Sequence, residues 1–258
     1  MKKNKSANTA KGPTIAVSDA YGVRSLHVGG EAIQSSMKLG DPFSLALDYT
    51  RCMMGFLLFH PQPREALMIG LGGGSLAKFF HRKLRATRVR VIELDPRIVG
   101  TARTHFALPP DDERLRIEIG DGAEALSPEC CDVLMIDAYH DEVHVPKLAT
   151  AEFYDAAYLA LETRGVLVVN FMDDDPLFDQ YLLRLESAFG GAVIAMRALY
   201  DPNIIAFALK GMPTRAEWDE LRRRAAQLEA RLELPFPKYL KRLRSMNRSS
   251  GRELILRP

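Results

Sequence analysis

Cysteine is scarce in this chain: three among 258 residues, at Cys52, Cys130 and Cys131. An odd count with no CxxC pair argues against a disulfide framework and a structural zinc site, and leads us to expect a reducing cytoplasm. An excess of one charge is also missing. With 35 Lys plus Arg against 33 Asp plus Glu, the net charge of +2 gives no reason to expect nucleic acid as a partner. No apolar run approaches the length of a membrane span, so no membrane association is expected. The opening stretch MKKNKSANTAKGP is basic but leads into no apolar segment, so it does not read as a secretory signal. Nucleophile elbows, P-loops and class-defining metal motifs are absent. What is present is ordinary for a folded protein, 47% hydrophobic and 26% charged residues, enough to bury one substantial core.

The pattern divides the chain into four stretches. Residues 1–12 are polar and patternless, and disorder is expected there. Residues 13–63 hold short β-rich runs (TIAVS, RSLHV, EAI) broken by turn residues, which predict an antiparallel meander. The segment FSLALDYTRCMMGFLLF follows, apolar on nearly all sides, and predicts a buried helix over 43–59. Residues 64–212 change rhythm. ALMIG, VRVIE, LRIEI, CDVLMI and GVLVVNF alternate with stretches of helical period, the signature of βαβ units and a parallel sheet. AVIAMRA and IIAFALK are separated only by the loop around Tyr200–Asn203, too short for a crossover helix, and predict an antiparallel hairpin at one edge. The fold class is therefore α/β; five parallel units ending in such a hairpin resemble the Rossmann-like seven-stranded AdoMet-transferase sheet, here preceded by an antiparallel β-meander. Residues 213–258 form a charged tail with a helix around Trp218. Its basic residues Lys241, Arg242, Arg244 and Arg248 read as solvated or subunit-facing.

Chemistry concentrates at the predicted strand ends. Gly70-Leu71-Gly72-Gly73-Gly74 lies between a strand and a helix, where glycines permit a tight turn and close approach of a ligand to the main chain. Glu93 ends the next strand about 20 residues on, where a carboxylate accepts from vicinal ribose hydroxyls. Asp121-Gly122 ends the third strand, where Asp121 is placed to accept from an adenine amine. Ser75 stands where a dinucleotide fingerprint carries its third glycine, which weakens the NAD reading, and Asp121-Gly122 points to a free adenosine instead.

The series GLGGGSLAKFF, VIELDP, GDGAEAL and CDVLMIDAY resembles the spermidine synthase (polyamine aminopropyltransferase) family, particularly its bacterial spermidine synthase-like members. The likeness extends upstream through Gln34-Ser35-Ser36 and Asp41-Pro42-Phe43-Ser44, and downstream through LATAEFY and GVLVVN, covering about residues 14–210. It implies that Gln34, Gly70, Gly72, Gly74, Glu93, Asp121 and Gly122 hold the nucleoside of decarboxylated S-adenosylmethionine or S-adenosylmethionine. It also implies that Asp137, ending the fourth strand, is the catalytic base, and that the protein is a homodimer acting on a small polyamine. Tyr49, Tyr139, His140 and Asp141 are expected on the acceptor side.

Three departures carry information. The family's loop reads GGGDGG, and its Asp meets the donor's ammonium; Gly73 stands in that place here. The family's DSSDP is Asp137-Ala138-Tyr139-His140-Asp141 here, with His140 at the second acid, and Leu45 replaces a common tyrosine, with Tyr49 close by. Losing the loop acid removes a charge that repels the carboxylate of intact AdoMet, so weaker donor discrimination is expected. Two alternatives follow: an AdoMet-dependent methyltransferase on the same fold, or a catalytically silent nucleoside-binding member. Aminopropyl transfer needs a neutral amine, and a carboxylate at Asp137 is suited to take its proton. Asp173–Asp175 suit a cationic acceptor, although Asp175-Pro176 also reads as a helix N-cap and first residue. His140 and His144, four apart with Pro146 soon after, read as loop histidines, and no metal is expected.

Overall fold

The computed structural model describes residues 12–140 and 143–257; the expected disorder of residues 1–12 falls outside these, Gly12 apart, as does Asp141. Strands β1 (Ile15–Ala20), β2 (Val23–Val28) and β3 (Ile33–Lys38) form the antiparallel meander. Tyr21 and Gly22 both have positive φ, the two-residue turn whose twist matches the flanking strands. Gln34 and Ser35 thereby lie on β3 itself.

The expected helix over 43–59 is much shorter. Helix α1 spans Asp48–Met53 and tightens into a 3₁₀ turn over Met54–Leu58. Arg51 explains the late start, since its guanidinium donates to the Leu45 and Ala46 carbonyls and holds that segment off the helix. Gly55 lets that turn pack closely on the sheet, because a Cβ there would sit 2.9 Å from Met196 and 3.0 Å from Phe207.

The central sheet contains β4 (Glu65–Ile69), β5 (Arg88–Glu93), β6 (Leu115–Ile119), β7 (Cys131–Ile136), β10 (Leu161–Met172), β11 (Val193–Arg197) and β12 (Asn203–Leu209) in the order β11-β12-β10-β7-β4-β5-β6. The short strands β8 (Tyr139–His140) and β9 (Val143–His144) pair with each other outside it. Five of the seven strands run parallel, and β12 pairs antiparallel with both β10 and β11, as the short loop required. Alternation along β7 splits its side chains between two layers. Val133 and Met135 join the core layer that also holds α2 (Ser75–Lys83), α3 (Pro96–His105) and the C-terminal helices. Leu134 and Ile136 meet α4 (Ala151–Ala160) and α5 (Phe178–Ala188). Helix α5 starts later than the Asp175-Pro176 pair predicts. Asp175 instead closes a turn by accepting from Leu177 N at 2.8 Å, so Pro176 precedes the helix.

The tail is more than helical. Strand β13 (Arg215–Glu217), α6 (Trp218–Leu232), α7 (Phe236–Met246) and β14 (Glu253–Ile255) close into a unit whose two strands pair. Asn247 bonds both the amide and the carbonyl of Ala195, covering part of the exposed rim of edge strand β11. Arg242 is not solvated, being 11% exposed and paired with Asp48, and Arg244 lies over the Trp218 ring. Among the described residues no helix is long and apolar enough to cross a membrane.

Candidate active site

Strand β4 is followed on one side by β5 and β6 and flanked on the other by β7, so the chain's crossovers diverge between β4 and β7. Open α/β sheets bind ligands outside the carboxyl ends of their strands at such a point. A cleft of about 1290 Å³ lies there. Gly70 has φ +94° and packs so tightly on the Asp137 carbonyl that any Cβ would collide with it. The glycine therefore lets the loop after β4 and the end of β7 share one wall.

The sequence-expected residues Gln34, Tyr49, Gly70, Gly72, Glu93, Asp121, Gly122, Asp137 and Tyr139 all line this cleft. Gly74 stands apart, as the residue that enters α2 with φ +73°. Leu45 is buried in the core, away from the cleft. The side chain of His140 lies outside the described residues, as does that of His144.

At one end, Glu93 uses both carboxylate oxygens: Oε2 accepts Leu71 N at 2.9 Å and Oε1 accepts Asp95 N at 3.0 Å. Burial raises its pKa despite those two bonds. A carboxylate offers about four lone-pair sites, so acceptor capacity remains for a ligand's hydroxyls. Asp121 accepts Ala123 N at 3.0 Å and pairs with Lys147 Nζ at 3.2 Å, and the backbone bond, then Lys147, holds its pKa low. Lys147 is a partner that sequence reading missed, because the two are 26 positions apart.

At the other end lies Asp137. Its Oδ1 accepts Asn170 Nδ2 at 2.8 Å and its Oδ2 accepts the Tyr49 hydroxyl at 3.3 Å. Burial nevertheless pushes its pKa up to about 6. Asn170 is itself oriented by Asn203, whose Nδ2 donates to its Oδ1 at 2.9 Å. Register places Asn170 here, since its neighbour Val169 pairs with Ile136 across β10 and β7. The Tyr139 hydroxyl donates to the Asn170 carbonyl at 2.6 Å. Asp174 and Asp201 add acidic lining, whereas Asp173 pairs with Arg197 and Asp175 closes its turn. Asp201 and Asn203 carry no sequence signal of their own; the hairpin brings them in. Among the described residues no group of three or more His, Cys, Asp or Glu is arranged to hold a metal ion.

Gly73 has ordinary backbone, but its space is closed. A Cβ there would lie 2.9 Å from the Phe106 ring and 2.9 Å from Ser35 Oγ. An acid at this position therefore requires Phe106 to move, an obstacle of packing and not of φ.

Residues 47–213 match the spermine/spermidine synthase domain. A polyamine aminopropyltransferase of Chromobacterium violaceum is 35% identical over 246 residues, covering 95% of this chain and 94% of that protein. A probable spermidine synthase from Corynebacterium glutamicum superposes with a TM-score of 0.70 at 22% identity, covering 88% of each chain. A spermidine synthase in complex with the transition state analogue AdoDATO superposes with a TM-score of 0.60 at 25% identity, covering 77% of this chain and 74% of that one. With the domain match spanning the central sheet, the glycine loop and the cleft wall from Leu47 to Asn203, and a relative this similar over nearly its whole length, the chain belongs to the spermine/spermidine synthase family and is a transferase.

Proposed function

We propose that the protein transfers an aminopropyl group from decarboxylated AdoMet to a polyamine acceptor such as putrescine, with Asp137 as the base. The observation that carries this reading is the Asp137 carboxylate itself: it lies at the divergence of β4 and β7, held between Tyr49 and Asn170, in the same cleft as Glu93 and Asp121. Its raised pKa leaves it ionised at neutral pH yet basic enough to accept a proton from an ammonium held against it. The donor's sulfonium activates the carbon that the amine attacks: a C–N bond forms, the C–S bond breaks, methylthioadenosine leaves, and the amine's proton passes to Asp137. Glu93 suits the ribose diol and Asp121 the adenine amine, since each retains open acceptor sites. Asp174 and Asp201 suit the cationic acceptor. The relative from Chromobacterium violaceum and the AdoDATO complex support this choice of chemistry. Incubation with decarboxylated AdoMet and putrescine, read by mass spectrometry, tests it: a product heavier by one aminopropyl group is expected, and its absence with folded protein overturns the reading.

The filled space at Gly73 favours a second reading for the donor, in which intact AdoMet is also admitted. We expect calorimetric affinities for AdoMet and decarboxylated AdoMet to agree within about tenfold, because no loop acid distinguishes the two tails. Gly73→Asp combined with Phe106→Leu, which makes the room that Gly73 lacks, should weaken AdoMet by about fivefold or more at an effective dielectric near 20. A wild type that separates the donors by more than about a hundredfold would show that another group reads the tail. Methyl transfer from AdoMet to any acceptor, without aminopropyl transfer, would move the assignment to a methyltransferase.

A further inference from the structure

The acceptor end of the cleft is braced from outside the matched domain. Two carboxylates cross between α1 and the loop that joins β11 to β12. Asp48 Oδ2 accepts the Leu199 amide at 2.6 Å, and Asp201 Oδ2 accepts the Tyr49 amide at 2.8 Å. Each element thus supplies the acid that satisfies a backbone N–H of the other. Asp48 is 6% exposed, and a buried carboxylate is costly unless a cation meets it. That cation comes from the tail: Arg242 on α7 places Nη1 at 3.3 Å from Asp48 Oδ2 and 2.9 Å from Cys52 Sγ, with its guanidinium over the Tyr239 ring. Helix α7 is in turn pinned to β11 through Asn247.

We infer that Arg242 is a positioning residue for the acceptor side. By meeting the charge of Asp48 it holds the 199–203 loop against α1, and so keeps the Tyr49 hydroxyl on Asp137. The inference rests on the reading of Asp137 and Tyr49 given above. Its physical logic is short. Without Arg242, the buried Asp48 carboxylate has no cation against it, the contact opens to water, and Asp48 becomes a weaker acceptor for Leu199 N. The loop then loosens and carries Asp201 away from the Tyr49 amide. Glu93 and Asp121 share no partner with this network, so the nucleoside end is unaffected.

The full chain tests this with three substitutions: Arg242→Gln, Arg242→Lys, and Arg244→Gln, the last on the same helix but stacked on Trp218. Hydrogen exchange over residues 47–54 and 197–204 reads the brace directly, whether or not the wild type transfers an aminopropyl group. Arg242→Gln should speed exchange in both segments by about fivefold or more and raise the acceptor KM by a similar factor, with methylthioadenosine affinity within about twofold. Arg242→Lys should fall between it and the wild type, because the charge is kept but the fork is lost. Arg244→Gln should change none of the three. If Arg242→Gln does not fold, the same readings are taken on Arg242→Lys. Unchanged exchange overturns the brace, as does equal loosening by Arg244→Gln. Faster exchange with an unchanged acceptor KM overturns the positioning role. A wild type with no aminopropyl transfer overturns the parent reading, and exchange then decides the brace alone.

Discussion

Asp137→Asn is expected to lower turnover by about 10²–10⁴-fold, the usual worth of a positioned general base. It should leave methylthioadenosine binding intact, because Glu93 and Asp121 lie on other strand ends. The substitution preserves shape: the amide oxygen still accepts from Asn170, and the Tyr49 hydroxyl can turn to accept from the amide nitrogen. The carboxyl pKa near 6 adds two further expectations. Wild-type activity should fall as pH drops below about 6, where the base becomes protonated. Stability should move the other way. An acid whose folded pKa is raised binds its proton more tightly when folded, so ionising it costs stability as pH rises through the window between the ordinary carboxylate value and about 6. Above that window the cost is constant; below it, none remains. Asp137→Asn should therefore unfold at a higher denaturant concentration than wild type at pH 8, by about 1–2 kcal/mol after allowing for the water in the cleft, and show no such advantage near pH 3.5. Turnover within about threefold of wild type would remove Asp137 from the chemistry. Equal stabilities at pH 8 would show that its carboxylate is better solvated than its burial indicates.

The sheet was legible because each strand is a short apolar run bounded by glycine or acid, and because the loop around Tyr200–Asn203 is too short to cross the sheet. The place of Gly70, Glu93 and Asp121 along one cleft was legible for the same reason, since each ends a strand or lies within two residues of its end. Local pattern failed where burial is uniform. FSLALDYTRCMMGFLLF has apolar residues on every side, so its period could not show that the helix starts only at Asp48 or tightens at Gly55. It failed again where a role depends on distant partners. Arg242 sits in a basic run, yet its partner Asp48 is 194 positions away, and no spacing rule connects them. Asn170 was visible as part of GVLVVN, but register between β7 and β10 is what sets it against Asp137. Gly73 was read as a departure from the family's loop; only packing shows that Phe106 fills the space an acid would need.

Glu93→Ala is expected to weaken methylthioadenosine by about 1.5–3 kcal/mol, roughly 10- to 150-fold, the range for removing a charged hydrogen-bond acceptor. Part of that loss will come from the protein itself, since the same carboxylate holds the amides of Leu71 and Asp95. Glu93→Gln separates the two contributions. Its amide oxygen still accepts from one of those amides, so the loop is better preserved while the charge offered to the ribose diol is gone. The raised pKa supplies a reading that loop loosening alone would not give. Burial makes Glu93 take up its proton at a higher pH than an ordinary glutamate, and the protonated form accepts hydroxyl hydrogens poorly. Wild-type affinity should therefore decline as pH falls into the carboxylate range, and the decline attributable to Glu93 should be absent in Glu93→Gln. Calorimetry at several pH values measures both. A folded Glu93→Ala that binds within about threefold of wild type, or a Glu93→Gln whose affinity keeps the full wild-type pH dependence, would place the ribose elsewhere in the cleft.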